Sequence, residues 1–284
     1  MKATKDIPIL SVLTFSYYRK EALFLIQKGP TSLDEIKDYF DVKSPEILPH
    51  LKKMVEHDLI FKREGNYELT YLGEIVAVNY KPFLDTLAAI ETNKNFWTRH
   101  DLSAIPTDLR TRIGDLVDCK VSMVEDYNIC ESHPEFVYNV EHSSIVEGAA
   151  CIFRKSWMKL ILDLASQNVP IRLIVTEDIY NKIRREYTYD LETLLKNEKA
   201  HMYICDKLSA CFTITDKYFS LSLNNLNGLH DTKYDLMGYG PKPIIWGKAL
   251  FKYYLENSTE VKNIKPLNEV VIQEPYLQSF SVQQ

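Results

Sequence analysis

The chain has 284 residues, with 34 Lys+Arg against 39 Asp+Glu and a net charge of −5, which excludes a protein that coats nucleic acid by bulk positive charge but leaves room for a local basic patch. Hydrophobic residues at 45 % and charged residues at 26 % describe an ordinary foldable chain long enough for two domains, and 9 Gly with 12 Pro argue against low complexity. No apolar run approaches the roughly 20 residues of a membrane span, residues 1–8 lack a signal-peptide core, and the 5 scattered Cys make no disulfide framework, so a cytoplasmic protein is expected.

Phe15, Tyr18, Ala22, Leu25 and Ile26 recur at helical spacing, and Gly29-Pro30 stops that helix. Ser32-Leu33-Asp34-Glu35 reads as a capping box opening a second helix with Leu33, Ile36 and Phe40 on its apolar side. After the turn Asp41-Val42-Lys43, Ser44 is expected as N-cap and Pro45 as first residue of a third helix, whose buried stripe is Ile47, Leu51, Met54 and Val55. Pro49 predicts a kink or tight first turn there. Residues 59–70 read as two short strands about a Gly65-Asn66 turn, and Thr70 caps the next helix. Three short helices followed by a hairpin predict an α+β winged helix-turn-helix, whose third helix would lie in the major groove. The side opposite the apolar stripe carries Glu46, Pro49, His50, Lys53 and His57, with Lys52 beside it; the hairpin tip carries Lys62, Arg63 and Asn66. The expected double-stranded DNA face is therefore Lys43, Ser44, Glu46, Pro49, His50, Lys52, Lys53, Lys62, Arg63 and Asn66, the basic ones suited to phosphate contact. The plainer alternative is the same fold used for protein contact.

From Gly73 to about His100 the pattern stays helical, with Ile75, Val78, Phe83, Leu87, Ile90 and Phe96 as apolar markers and an interruption at Pro82. This segment is expected to pair two copies into a homodimer, as palindromic operators require, the plainer alternative being that it packs on its own domain. The segment from Phe96-Trp97 to Ile105-Pro106 reads as a structured hinge. Beyond residue 119, strand-like and helix-like runs alternate: strands at Lys120–Glu125, His142–Gly148, Val169–Thr176, Ala200–Cys205, Cys211–Thr215 and Tyr218–Asn224, and helices at Phe153–Gln167, Glu177–Tyr187, Leu191–Asn197 and Ile244–Glu256. That alternation predicts an α/β sensor domain around a central mixed sheet. Val270-Val271-Ile272 is a possible edge strand. The expected divisions are 1–78, 79–118, 119–265 and a tail from 266.

Phe96-Trp97, His100, Ile105-Pro106 and Ile113-Gly114-Asp115-Leu116 resemble the start of the middle domain of the archaeal methanogenesis regulatory protein family. Ile171–Glu177, Asp216–Leu223 and Trp246–Tyr254 fit the same resemblance, which extends over roughly residues 8–262. It implies an archaeal DNA-binding regulator with a sensor domain similar in topology to phospholipase D-like folds, and supplies no ligand residue by residue. The His-x-Lys chemistry of those enzymes is absent from the sheet region; His50-Leu51-Lys52 lies in the proposed recognition helix. Cys130-Glu131-Ser132-His133, near Cys119 and His142, lacks the paired spacing of a zinc site, and there is no Cys-x-x-Cys. No phosphate-binding glycine loop or nucleophile elbow occurs, and Gly238–Pro241 reads as a plain turn. No enzyme, cofactor or metal is therefore expected. Arg172 interrupts an apolar strand and needs an acidic partner or an anionic ligand. Asn224 and Asn225 close another strand, and Tyr127 follows Glu125-Asp126 after the first. Arg172, Asn224, Asn225 and Tyr127 are the expected contacts of a small-molecule effector. The alternative function is an enzyme or nucleotide-binding protein that carries its winged helix as an interaction module.

Overall fold

The computed structural model describes residues 8–123 and 134–262. Its N-terminal unit comprises α1 (Ile9–Thr14), α2 (Tyr17–Ile26), β1 (Thr31–Ser32), α3 (Leu33–Phe40), α4 (Ser44–Glu56), β2 (Ile60–Arg63) and β3 (Asn66–Leu69). The three strands form one antiparallel sheet in the order β1-β3-β2. Leu13, Leu23, Ile26, Ile36, Ile47, Leu51, Met54 and Ile60 close an apolar core beneath it.

Local chemistry sets the boundaries. Ser32 Oγ accepts the Glu35 N–H at 3.2 Å while the Glu35 carboxylate accepts the Ser32 N–H at 2.7 Å, which is the expected capping box. Two expectations are corrected. Lys43 and not Ser44 is the N-cap of α4, its backbone N–H donating to Glu46 Oε1 at 3.2 Å. The hairpin turns on Glu64-Gly65, at φ 49° and 89°, because Asn66 already pairs with Arg63. Two central residues in left-handed backbone match the twist of a tight two-residue hairpin. Helix α4 runs without interruption through Pro49, which stands close enough to its start to remove only one hydrogen bond.

α5 (Tyr71–Thr92) is the longest helix among the described residues. Thr70 Oγ1 accepts the Gly73 N–H at 2.9 Å and donates to the Asp58 carbonyl. Gly73 is required by close approach: a Cβ there would meet the Leu59 carbonyl oxygen at 1.9 Å. The helix also continues past Pro82, which lies on its exposed side, and ends instead at Asn93, whose side chain donates to the Cys119 carbonyl at 2.9 Å. α6 (Lys94–Arg99), α7 (Thr107–Arg110) and two short 3-10 turns (Leu102–Ala104 and Ile113–Leu116) then fold onto the second half. Gly114 lets the second turn sit against α5, since a Cβ would meet the Thr86 backbone nitrogen at 2.9 Å.

The second half contains β4 (Lys120–Met123), α8 (Pro134–Glu141), β5 (Val146–Ala150), α9 (Lys155–Ser166), β6 (Ile171–Val175), α10 (Glu177–Glu186), α11 (Thr188–Leu195), β7 (Ala200–Ile204), β8 (Ala210–Thr215), β9 (Tyr218–Leu223), β10 (Tyr234–Tyr239), α12 (Pro241–Glu256) and β11 (Thr259–Glu260). These strands build an eight-stranded sheet in the order β11-β7-β6-β5-β8-β9-β10-β4. β5, β6 and β7 are mutually parallel and the remaining pairs antiparallel, so the expected mixed sheet is present. The sequence reading lacks α8 and β10; Gly238, read as part of a turn, pairs with Phe219 inside β10, and only Gly240 turns the chain. The first strand after residue 140 starts at Val146, not His142. Glu125, Asp126, Tyr127, Cys130–His133 and Val270–Ile272 lie outside the described residues.

Two cores flank this sheet. Trp246, Leu250 and Phe251 of α12 pack on Phe212, Ile214, Phe219 and Leu221 together with Phe96, Trp97 and Leu109. Trp246 Nε1 donates to the Leu109 carbonyl at 3.1 Å and Tyr254 to the Ala104 carbonyl at 2.6 Å, so the hinge segment is part of the core. A second core joins α9, α10 and α11 to the parallel strands. Lys242 donates to Asp85 at 3.1 Å, tying the start of α12 to α5. Among the described residues no helix is long and apolar enough to cross a membrane.

Candidate functional site

Ile47, Leu51 and Met54 fix which side of α4 faces the core. The opposite side exposes Pro45, Glu46, Leu48, Pro49, Lys52 and Glu56, and also Val55, which was expected in the buried stripe, while Ser44, Lys53 and His57 are half-buried along its flanks. Lys43 at the helix start and Lys62 and Arg63 on the hairpin are exposed, and Asn66 is half-buried beside them. Lys43, Lys52, Lys62 and Arg63 make no ion pair among the described residues, although Lys62 Nζ stands 5.5 Å from the Tyr67 ring centre. Of the neighbouring acids, Glu46 caps α4 and Glu56 lies 3.5 Å from Lys53, while Asp58 and Glu64 are exposed. His50 points inward. Its Nδ1 lies 3.3 Å from Ser16 Oγ and 3.4 Å from Arg19 Nη1, and its ring packs on Tyr18 at 4.9 Å. Burial, then the Arg19 charge, hold its pKa below the ordinary imidazole value. His50 therefore anchors α4 to α2.

Helix α5 presents a second surface. Leu72, Ile75, Val78, Phe83, Leu87 and Ile90 are each between 39 % and 61 % exposed and follow one another at helical spacing. At 1.5 Å per residue the stripe is about 27 Å long, and no Asp, Glu, Lys or Arg falls within it.

In the sheet, Arg172 donates to Glu147, its register partner on β5, and its guanidinium lies 5.1 Å from the Phe251 ring centre. Glu147 is buried, so the pair keeps a carboxylate satisfied inside the fold. Asn224 and Asn225 lie at the other end of the sheet, in a loop that meets the linker. The Asn224 carbonyl accepts the Asp101 N–H at 2.8 Å, the Arg99 carbonyl accepts the Leu226 N–H at 3.2 Å, and His100 Nε2 lies 3.1 Å from Asp231. Arg172 and the two Asn are thus not brought into one pocket.

The antiparallel half of the sheet instead turns one polar face inward. Alternate residues Thr213, Ser220, Ser222 and Asp235, with Cys211, line a small cavity of about 80 Å³ walled by Phe136, Trp157 and Ile161 and entered by Arg154. Burial raises the Asp235 pKa, against the opposing Arg154 charge and Ser222 hydrogen bond. At the cavity edge Cys151 Sγ stands 3.3 Å from Cys211 Sγ and 3.3 Å from His230 Nδ1, and the Cys151 N–H donates to Cys211 Sγ at 3.2 Å. Burial pushes the Cys211 thiol up, but hydrogen bonds from Cys151 and His230, with the His230 charge, outweigh it and hold it well below the usual thiol range. The hydrogen bond to Cys211, then burial, holds Cys151 above that range. Burial lowers His230, and the Cys211 interactions reverse this and raise it.

Sequence reasoning missed Arg154, Asp235 and this Cys–Cys–His group. A signal existed for the pocket: the Thr and Ser alternation in residues 211–222 is the pattern of a strand with one polar face. None existed for the Cys–Cys–His group, whose members are scattered along the chain.

Residues 8–88 match the N-terminal domain, and residues 129–257 the middle domain, of the family described as methanogenesis regulatory protein FilR1. Methanogenesis regulatory protein FilR1 of Methanothrix harundinacea (strain 6Ac) is 22 % identical over 258 residues, which are 89 % of this chain and 58 % of that relative. The chain thus spans little more than half the length of the curated relative it matches. Among solved structures, that of TrmBL2, an archaeal chromatin protein with a novel mode of DNA binding, is similar over 87 % of this chain and 94 % of its own, at 13 % identity and a TM-score of 0.42. Pseudomonas aeruginosa HmgR is similar over 84 % and 95 %, at 10 % identity and a TM-score of 0.24.

Proposed function

The chain belongs to the methanogenesis regulatory protein family, and we propose on that premise that it is a sequence-specific, DNA-binding transcriptional regulator acting as a homodimer. The N-terminal unit is read as a winged helix-turn-helix with α4 as recognition helix and the β2–β3 hairpin as wing. One observation carries this: in a chain of net charge −5, Lys43, Lys52, Lys62 and Arg63 stand exposed and outside any ion pair on α4 and the hairpin, and Glu46 and Glu56 beside them are engaged. Lys43, Lys53, Lys62 and Arg63 would meet phosphates, bordered by Ser44 and Asn66. Lys52 would meet base edges, and Leu48 and Val55 thymine methyls. His50 would set the angle of α4. The uncharged stripe of α5 is the dimer seam, self-complementary under two-fold symmetry. The sheet half is read as an effector-responsive, non-catalytic domain. Its effector site is the polar-floored cavity with Arg154 and Asp235, since an apolar recess with a few convergent polar groups is the usual form of a small-molecule site.

Fluorescence anisotropy with upstream duplexes and scrambled controls, across a salt series, tests the reading. Lys62→Ala/Arg63→Ala should weaken binding at least tenfold and flatten the log–log salt slope by about 2, one unit per lost phosphate contact. Equal weak binding to every duplex, or a double variant indistinguishable from the parent, would defeat it.

A further inference from the structure

We propose that Cys151, Cys211 and His230 form a binding site for a zinc-class cation, and that its occupancy is felt by the linker through the loop 224–231. The three donor atoms lie within 4.8 Å of one another. Two thiolates and one imidazole are the donor set that borderline-soft divalent cations select. For Zn–S and Zn–N bonds of about 2.3 and 2.0 Å, tetrahedral geometry sets donor separations of about 3.5–3.8 Å. The observed 3.3 Å for both Cys151–Cys211 and Cys151–His230 needs only a few tenths of an ångström of opening. Ser222 Oγ, 3.4 Å from His230 Nε2, supports the ring from behind and fixes Nδ1 as the ligand, the usual outer-shell arrangement. Asn224 Oδ1, 3.0 Å from Nδ1, accepts the Nδ1 proton that a cation would displace, and the fourth position is left to solvent. Cys151 and His230 also line a cleft with Phe153, Thr176 and Asp178, which leaves that position reachable by water or an exogenous ligand. Loading releases to solvent the protons held on the thiols and on Nδ1.

The third donor separates this site from a plain dithiol pair, which would give His230 and its two polar neighbours no common role. Coupling follows from the same loop. His230 is the metal-side residue, while its neighbour Asp231 receives His100, and the Asn224 carbonyl and Leu226 N–H bond to Asp101 and Arg99 at the end of α6. A cation that fixes His230 against β5 and β8 therefore stiffens the attachment of the linker that follows α5. This coupling names a ligand class for the responsive half in the reading above; the binding itself does not depend on that reading.

The test uses the full chain, reduced and metal-free, titrated anaerobically with Co²⁺ and no DNA. One equivalent should produce thiolate-to-cobalt charge-transfer absorption and tetrahedral ligand-field bands, bleached by Zn²⁺. Cys211→Ser and His230→Asn, checked for folding by circular dichroism, should each weaken binding at least tenfold, whereas Cys205→Ser should not. Absence of the charge-transfer band in the parent, or titration midpoints in both variants equal to the parent's, overturns the site. A reduced chain that ignores Co²⁺ but forms a Cys151–Cys211 disulfide with peroxide overturns it in favour of a redox pair. Hydrogen exchange at the Asp101 and Leu226 amides should slow at least threefold with Zn²⁺; unchanged exchange in a loaded protein overturns the coupling. A failure of DNA binding would leave each of these readouts untouched.

Discussion

Around α4 the buried side chains are almost all apolar, and the polar groups stand on the surface. The sheet half buries Glu147, Thr213, Thr215, Ser220 and Ser222 and gathers Cys151, Cys211 and His230 at a cavity edge. Buried polar groups cost stability unless they are satisfied, so a fold that keeps many of them holds them in place by specific partners. On the proposed reading, the contrast gives the two halves different work. The first acts through what it displays, with a core whose task is to hold α4 and the hairpin at a fixed angle. The second acts through what it encloses, and α5 with the hinge segment carries the consequence between them.

The largest effects should come from the scaffold that holds the display. Gly73→Ala drives a methyl into the Leu59 carbonyl and should cost about 3 kcal/mol by the overpacking rule, read by urea denaturation as a lower midpoint; an unchanged midpoint would mean that α5 does not need its close seat on the hairpin. Next, Ile75→Glu/Leu87→Glu places charges in the seam of a proposed two-fold pair. Sedimentation should find a monomer at concentrations where the parent is a dimer, and affinity for a two-half-site duplex should fall roughly 100-fold as bivalency is lost. A variant that stays dimeric puts the seam elsewhere.

In the sheet half, Arg172→Ala leaves the buried Glu147 carboxylate unpaired. Because half of the Arg172 surface remains wet, the expected loss is about 1–3 kcal/mol, below the full cost of breaking a buried pair. Arg172→Ala/Glu147→Gln should recover part of it in the same denaturation assay. Failure of that rescue would separate the two residues energetically. The smallest effect concerns His50. Its folded pKa lies below the ordinary value, so the fold prefers the neutral ring. Stability is then fully present above about pH 6.5 and declines as pH falls from there toward the lower folded value. Melting temperatures between about pH 7.5 and 5.5 should fall more steeply for the parent than for His50→Gln, and parallel curves would show that the ring titrates freely.

The N-terminal unit was legible because its signals are local: a capping box, Thr70 before a helical stripe, and a short turn between α3 and α4. Two side chains of α4 were misread: Val55 lies exposed outside the buried stripe, and His50 leaves the outward face because Ser16, Tyr18 and Arg19 reach it from the preceding segment, and a helical wheel carries no record of neighbours. Pro82 predicted a break that α5 does not make, since an exposed proline in a long helix leaves a carbonyl that water can satisfy. In the sheet half, alternation gave most of the strands, but β10 was lost behind Gly238 and Gly240. Its interior site was illegible because inward-facing Thr and Ser look like a solvent face. Donors from β5's end, β8 and a later loop meet only after the sheet is assembled.

The central claim is that DNA meets α4 and the hairpin while the sheet half stays clear of it. Hydrogen exchange of the full chain with and without a specific duplex tests it directly. The account predicts added protection in residues 43–57 and 60–69, with the strands 210–223 and 234–239 unchanged. Protection confined to those strands, with α4 exchanging as in the free protein, would contradict it.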